Sequence, residues 1–191
     1  MSKRLSIKLL KGKHKDETIY VFGSGHQGLI YDMNWFKDKI IIGMNFMYKF
    51  IKTDYLISRH LKVIKQQPKN LVCPLITADF QGFEHTFGDY LWTNELVESG
   101  STVLTATDFA RYLGASKIVI LACEGYGSHR PGYNEFVSPD NKEAGEIGRP
   151  YLRGTDYNIE HFIEHTESKY GIEIFRSKLI VEQFKTKINI K

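Results

Sequence analysis

The sequence predicts one α/β domain of the Rossmann-like type, in which a mostly parallel sheet carries helices on both faces. Short runs rich in β-branched and aromatic residues alternate with longer segments of helical periodicity, as they do in parallel β-α units. The first of these runs ends in a glycine-rich turn. The chain has 191 residues, enough for one sizeable core, and no linker divides it.

The strands are predicted where short apolar runs are bounded by glycine, proline or polar residues. In chain order they are residues 18–23, 39–44, 54–58, 70–74, 117–122 and 172–175. The run KIVILA at 117–122 is the most apolar and is expected at the centre of the sheet. The stretches 77–90 and 124–155 are polar or glycine-rich and are predicted to be loops.

Helices are predicted over residues 26–36, 101–113 and 157–169. In the second of these, apolar side chains recur at i, i+3, i+7 and i+10, which gives an amphipathic stripe: Val103, Ala106, Ala110 and Leu113. Gly114 follows as a C-terminal cap, and Gly171 ends the third helix in the same way.

Charge is concentrated towards the ends of the chain, and the net charge is +4. Residues 3–15 carry six Lys or Arg and no acid, so residues 1–17 are interpreted as a basic N-terminal segment preceding the domain at 18–191. Residues 176–191 are also basic. Solvated termini are the plain interpretation; weak contact with an anionic partner, either nucleic acid or a membrane surface, is the alternative.

The remaining composition predicts a cytoplasmic protein with no transmembrane segment. No apolar run approaches 18 residues, and the basic N-terminus lacks the apolar stretch of a secretory signal. Cys73 and Cys123 each follow or end an apolar run, and they are interpreted as buried thiols in a reducing compartment.

The turn after the first strand reads Gly-Ser-Gly-His-Gln-Gly at 23–28, a G-x-G-x-x-G pattern between a predicted strand and a predicted helix. Glycines let backbone N–H groups approach a phosphate, and a helix N-terminus favours an anion. A tight turn with no ligand is the alternative. Asn45 ends the second strand where a nicotinamide fingerprint requires an acid, which disfavours NAD, and no P-loop lysine follows the glycines.

The segment after the strand at 117–122 carries the side chains best suited to chemistry: Glu124, Tyr126, His129, Arg130 and Tyr133. A carboxylate can accept hydrogen bonds from ribose hydroxyls. An imidazole and a guanidinium can transfer a proton or hydrogen-bond to a leaving group or a phosphate. A solvated surface loop is the alternative interpretation. His60, after the third strand, is a second candidate base.

These pieces together resemble the bacterial lipooligosaccharide sialyltransferases and the related DUF115 group, which includes archaeal pterin pyrophosphokinases. The family opens with a strand and Gly-Asn-Gly or Gly-x-Gly; here this is Gly23-Ser24-Gly25. Its second strand ends in an asparagine that contacts the nucleotide, which falls on Asn45. Its Ser-Gly pair before a helix falls on Ser99-Gly100, followed by TVLTATDFARYLGASKIVILACEGY.

The resemblance continues through most of residues 18–175. Glu124 and Tyr126 fall on the family's Asp and Tyr, Tyr133 falls on a phosphate-contacting Tyr, and KYGIEIF resembles its closing segment. The sequence departs from the pattern at Ser24, where the family has Asn, and at Glu98, where it has Thr. Arg153-Gly154 stand where the sialyltransferases place a catalytic His.

The resemblance implies a CMP-sugar type of donor, bound without a metal or other cofactor, and transfer to a hydroxyl of a glycan or small acceptor. The nucleotide would contact Gly23, Ser24, Gly25, Asn45, Ser99, Gly100 and Glu124. Tyr126 and Tyr133 would hydrogen-bond the departing phosphate. Side-chain chemistry, apart from the resemblance, assigns Arg130 to the phosphate or leaving group and His129 as the general base.

Two alternatives stay open. Pyrophosphoryl transfer from ATP requires Mg²⁺ and converging carboxylates, for which Asp54, Asp79 and Glu124 are the candidates. The other alternative is a nucleotide-binding protein that catalyses nothing.

Overall fold

The computed structural model describes residues 5–23, 25, 28, 31–59, 61–68, 70–78, 88–97, 101–123 and 155–177. Within them lies one sheet of eight strands, all parallel, in the spatial order β1-β6-β5-β4-β3-β2-β7-β8. The strands are β1 Leu5–Ser6, β2 Thr18–Phe22, β3 Ile40–Met44, β4 Tyr55–Ser58, β5 Leu75–Ala78, β6 Tyr90–Trp92, β7 Lys117–Leu121 and β8 Glu173–Arg176. The α-helices are α1 Leu61–Lys65, α2 Thr102–Tyr112 and α3 Thr155–Tyr170.

The sheet is covered on both faces, as strand alternation requires. In β2, Ile19 and Val21 belong to the apolar core beneath α2 and α3. Phe22, on the opposite face, packs in a second cluster with Phe36 and Met47, which lie in two short 3₁₀ helices, Met33–Phe36 and Met47–Lys49. This architecture confirms the predicted Rossmann-like α/β class.

Helix α2 is the central helix on its face and follows the predicted stripe closely. Val103, Ala106, Ala110 and Leu113 are all buried. After the helix, Gly114 has a φ of +95°, and the Ala115 amide donates to the Ala110 carbonyl at 3.2 Å. The predicted glycine cap is therefore confirmed, since that conformation strains any side-chain-bearing residue.

The basic N-terminal segment joins the sheet at residues 5–6 and adds two side chains to the core, while its described lysines are exposed as expected of a solvated segment. Leu5 and Ser6 pair with β6, and Ile7 and Leu10 are almost completely buried. The interpretation weighted the exposed lysines and overlooked the apolar residues between them. Burial of those apolar side chains holds the segment in place.

A continuous helix over 26–36 is also wrong. Asp32 is extended, with φ −70° and ψ 105°, and its carboxylate accepts a hydrogen bond from the Asn34 amide at 2.9 Å. That local bond starts a separate 3₁₀ helix at Met33 in place of an α-helix through Asp32.

The strand predicted at 70–74 begins later, at Leu75. Strand β6, which starts at the end of the predicted loop 77–90, was not predicted. Pro74 has no N–H for a sheet ladder, so β5 starts at Leu75, whose amide donates to the Asp89 carboxylate at 2.8 Å. Val72 in the predicted strand is fully exposed. Strand β6 has only three residues, too few for a periodic signal.

Candidate functional site

The candidate site lies where the strand order reverses. Strands β3 to β6 lie on one side of β2, and β7 and β8 lie on the other. Ligands of open parallel sheets bind outside the carboxyl ends of the strands at such a switch point. Here the switch point falls between the ends of β2 and β7, so Gly23 and Ala122 are the first residues beyond it.

Gly23 is in close contact with the end of β7. Its amide donates to the Leu121 carbonyl at 2.9 Å, and the Gly25 amide donates to the Ala122 carbonyl at 2.8 Å. A β-carbon at Gly23 would lie 2.4 Å from the Ala122 oxygen and 2.5 Å from Cys123 Sγ. Close packing between the two strand ends therefore requires glycine at position 23.

The glycine amides themselves are already occupied. Gly23 and Gly25 donate to β7, and Gly28 donates to the Gly25 carbonyl at 2.9 Å. In this conformation these amides are not available to a phosphate. The four-residue 3₁₀ helix at Met33 is likewise too short and too far along the chain to supply the expected helix dipole. The three described glycines of the turn thus provide space for close packing, and their amides are engaged within the protein.

Asn45 is the predicted nucleotide-binding residue whose side chain the structure describes in most detail. It follows β3, the neighbour of β2, and its Oδ1 accepts a hydrogen bond from Ser58 Oγ at 3.1 Å. Gln67 Nε2 donates to the Asn45 main-chain carbonyl at 3.1 Å. In the described part of the chain no group accepts from the Asn45 NH₂. The side chain is therefore held in place with two donors left over.

The residue that follows β3 or β7, the two strands beside β2, has a left-handed backbone conformation in each case. Asn45 after β3 has a φ of +55°, and Ala122 after β7 has a φ of +52°. Asparagine tolerates this region, whereas alanine pays about 1–2 kcal/mol for it. Strain of this kind concentrates at ligand sites, where the surrounding structure holds it. Asp16, in the turn before β2 at the opposite edge, also has a positive φ.

The far side of the β7 end is held by Arg176, which the sequence interpretation placed in a basic terminal stretch. Its Nε and Nη2 donate to the Cys123 carbonyl at 3.2 and 2.6 Å, and its Nη1 donates to Glu160 at 2.8 Å. Nothing in the local sequence marks this contact, because β8 and β7 are separated by more than fifty residues.

Several predicted site residues lie outside the described residues: Ser24, His60, Ser99, Gly100, Glu124, Tyr126, His129, Arg130 and Tyr133. The same holds for Asp79. Among the predicted residues that the structure describes, Gly23, Gly25 and Asn45 lie at the carboxyl ends of adjacent strands β2 and β3. Those three remain predictions as ligand contacts.

Asp54 is not at this edge, so its assignment to a magnesium site there is wrong. It precedes β4, at the amino end of the sheet, and its carboxylate accepts a hydrogen bond from the Ile41 amide at 2.8 Å. Across the described ranges, no group of three His, Cys, Asp or Glu side chains is arranged to hold a metal ion.

Both cysteines are buried thiols, as predicted, but in different surroundings. Cys123 Sγ lies at the switch point and donates to the Leu121 carbonyl at 3.2 Å. Cys73 packs beneath β4 and β5 with Leu56 and Ile64. Burial raises the pKa of the Cys73 thiol, and a hydrogen bond with Thr53 partly opposes that rise. The two thiols therefore report on different parts of the molecule.

The fold defines an α/β protein of the Rossmann-like type, with a topological switch point between β2 and β7. No protein family model matches the chain, and no curated protein matches it. Within the residues that the structure describes, no helix has the length and apolarity needed to cross a membrane.

Proposed function

We propose that this chain is a small glycosyltransferase-like enzyme. It would bind a nucleotide-activated sugar of the CMP-sugar type at the switch point and transfer the sugar to a hydroxyl acceptor. The observation that carries the proposal is Asn45, directly after the strand next to β2: its amide is fixed by Ser58, and its NH₂ meets no acceptor among the described residues. We place the enzyme in the cytoplasm, where its thiols stay reduced.

Asn45 disfavours NAD for a chemical reason, while the preference for a pyrimidine nucleotide comes from the sequence resemblance. NAD sites use a carboxylate at this position to accept hydrogen bonds from both ribose hydroxyls. The Asn45 NH₂ can only donate, and its Oδ1 is already engaged by Ser58. It therefore suits an acceptor on the ligand, such as the carbonyl of a pyrimidine base or a phosphate oxygen.

The remaining nucleotide contacts and the roles of the two tyrosines come from the sequence resemblance, whereas Arg130 and His129 are assigned from the chemistry of their side chains. Ser24, Gly25, Ser99, Gly100 and Glu124 join Asn45 around the nucleotide. Tyr126, Tyr133 and Arg130 stabilise the charge that develops on the leaving phosphate, and His129 removes the proton of the acceptor hydroxyl. No cofactor takes part. The basic termini would make weak contact with an anionic partner, either nucleic acid or a membrane surface.

The alternative functions have different requirements. Pyrophosphoryl transfer from ATP needs Mg²⁺, and the position of Asp54 at the amino edge removes one of its three candidate carboxylates. A nucleotide-binding protein without catalysis remains the second alternative, because Arg153-Gly154 replace the family's catalytic His.

Thermal-shift measurements test the proposal. CMP, UDP, GDP, ADP and NAD are compared at equal concentration, with and without EDTA. A ligand at 100 times its Kd adds about 2.7 kcal/mol to the free energy of unfolding, which is readily seen for one domain. We expect the largest shift with CMP and no effect of EDTA. A shift with ADP that requires Mg²⁺ would support the pyrophosphokinase alternative instead, and CMP binding without turnover of any CMP-sugar would support the non-catalytic one.

A further inference from the structure

Arg176 is a buried side chain that donates hydrogen bonds both to a main-chain carbonyl and to a carboxylate. Only 6% of its side chain is exposed, and two of its N–H groups go to one main-chain carbonyl, that of Cys123. Glu160, itself 36% exposed, balances the charge at 2.8 Å. The guanidinium therefore divides its N–H donors between a carboxylate on α3 and the main chain at the end of β7.

The carbonyl that Arg176 holds is the last of three in succession that are fixed at the end of β7. The Leu121 carbonyl accepts from Gly23, the Ala122 carbonyl accepts from Gly25, and the Cys123 carbonyl accepts from Arg176. The glycine turn thus fastens this strand end from the β2 side, and Arg176 fastens it from the β8 side. Between them lies Ala122, in its left-handed conformation.

We propose that Arg176 is a positioning residue of the nucleotide site. By fixing the Cys123 carbonyl, it holds Ala122 at positive φ and keeps the Ala122 carbonyl under the Gly25 amide. The glycine turn then stays in the conformation that binds the nucleotide. The effect on the ligand rests on the proposed function, whereas the effect on the strand end does not.

The first arm of the test measures the strand end without any ligand, through the rate at which N-ethylmaleimide alkylates each thiol. Arg176→Lys keeps the charge for Glu160 but loses the fork that holds the Cys123 carbonyl. We expect Cys123 to react about tenfold faster in this variant, because a charge-assisted hydrogen bond at the strand end is lost. Cys73, equally buried in a separate cluster, should keep its parental rate.

Two matched variants separate the carbonyl contact from other roles. Lys117→Gln removes an exposed ion pair between the same two strands, Lys117–Glu173 at 2.8 Å, and should leave both thiols at their parental rates. Glu160→Gln removes the charge partner but keeps the carbonyl contact, and should also leave Cys123 slow. Arg176→Gln replaces Arg176→Lys if the lysine variant does not fold.

The second arm measures CMP affinity by calorimetry in the same variants. We expect the Kd to rise about tenfold in Arg176→Lys and to stay at the parental value in Lys117→Gln, at temperatures where both are fully folded. If the parent binds no nucleotide, the proposed function fails, and the thiol rates alone decide the claim about the strand end. Equal acceleration of both thiols, or an unchanged Cys123, overturns the proposal. Faster Cys123 with unchanged CMP affinity overturns its ligand part.

Discussion

The Cys123 thiol lies where a side chain on Gly23 would have to begin: a β-carbon there would be 2.5 Å from Sγ. The main-chain oxygen of Ala122 is closer still, at 2.4 Å. Real β-carbons essentially never approach other atoms so closely. The contact joins the ends of β2 and β7 at the switch point. The effect of a substitution at residue 23 therefore tests how closely these strand ends pack.

Replacing Gly23 by alanine should therefore lower the free energy of unfolding by about 3 kcal/mol, the upper end of the range for overpacking, because a main-chain carbonyl cannot rotate away. Gly171→Ala is the control. It has a φ of +66° but nothing within 4 Å of the new β-carbon, so it should cost about 1 kcal/mol, the left-handed penalty. Urea unfolding measures both. Equal costs in the two variants would show that the strand ends are not closely packed.

Ala122→Gly should leave stability within about 0.5 kcal/mol of the parent, because relief of the left-handed strain offsets the buried methyl group and the added chain entropy. The matched change Ala110→Gly, equally buried but within the last turn of α2, should cost about 2 kcal/mol from lost helix propensity and packing. Urea unfolding again measures both. A cost at Ala122 as large as that at Ala110 would rule out strain at this position.

A bound nucleotide should protect Cys123 from alkylation and leave Cys73 unprotected. The two thiols are almost equally buried, with 8% and 7% exposure, so they form an internal pair. If alkylation of Cys123 requires the site to open, saturating CMP should slow it by at least about tenfold. Mass spectrometry of the two peptides gives both rates. Equal slowing of both thiols would indicate general stabilisation and not a ligand at the switch point.

Stability at alkaline pH should depend on Tyr55, at the amino edge. Its hydroxyl is hydrogen-bonded to His14 Nε2 at 2.8 Å, and His14 Nδ1 is bonded to Glu17 at 2.7 Å. Burial raises the pKa of Tyr55 above the ordinary value of 10.0, although Lys13 lowers it in part. The folded state thus holds the phenolic proton more tightly than the unfolded state.

The sign of the effect follows from linkage. The contribution is present in full below the unfolded tyrosine pKa and is lost as pH rises through it towards the raised folded value. Tyr55→Phe should cost about 1 kcal/mol at pH 7, the hydrogen bond to His14. It should also lose less stability than the parent as pH rises above the ordinary tyrosine pKa. Urea unfolding at a series of pH values measures this, and identical pH profiles would contradict the assignment.

The sequence predicted the elements whose burial is regular. The stripe of α2 and the apolar runs of β2, β3 and β7 are long enough to show a periodic pattern. The observed bounds of these elements differ from the predicted ones by no more than one residue at either end. The elements it missed were those decided by single contacts. The Asp32 carboxylate starts a separate 3₁₀ helix at Met33, and Asp89 and Pro74 set the start of β5.

Only part of the candidate site could be predicted from the sequence. The glycine turn and Asn45 stand next to predicted strands, so their place at the carboxyl edge followed from the alternation of strands and helices. The occupied glycine amides, the left-handed Ala122 and the Arg176 contact depend on which strands become neighbours. That order is set by packing of the whole sheet, and no local pattern around those residues encodes it.

The central claim is that Asn45 donates a hydrogen bond to a nucleotide, and calorimetric titration of Asn45→Asp tests it most directly. This substitution keeps the oxygen that Ser58 contacts and the tolerance of positive φ, but removes both donors of the NH₂. Asn34→Asp, at an exposed position in the 3₁₀ helix Met33–Phe36, is the control. We predict that CMP binds the parent and the control equally and binds Asn45→Asp at least about tenfold more weakly, since a lost donor leaves a buried ligand acceptor unpaired. Equal CMP affinity in all three proteins, or binding of NAD and not of CMP by the parent, would contradict the account.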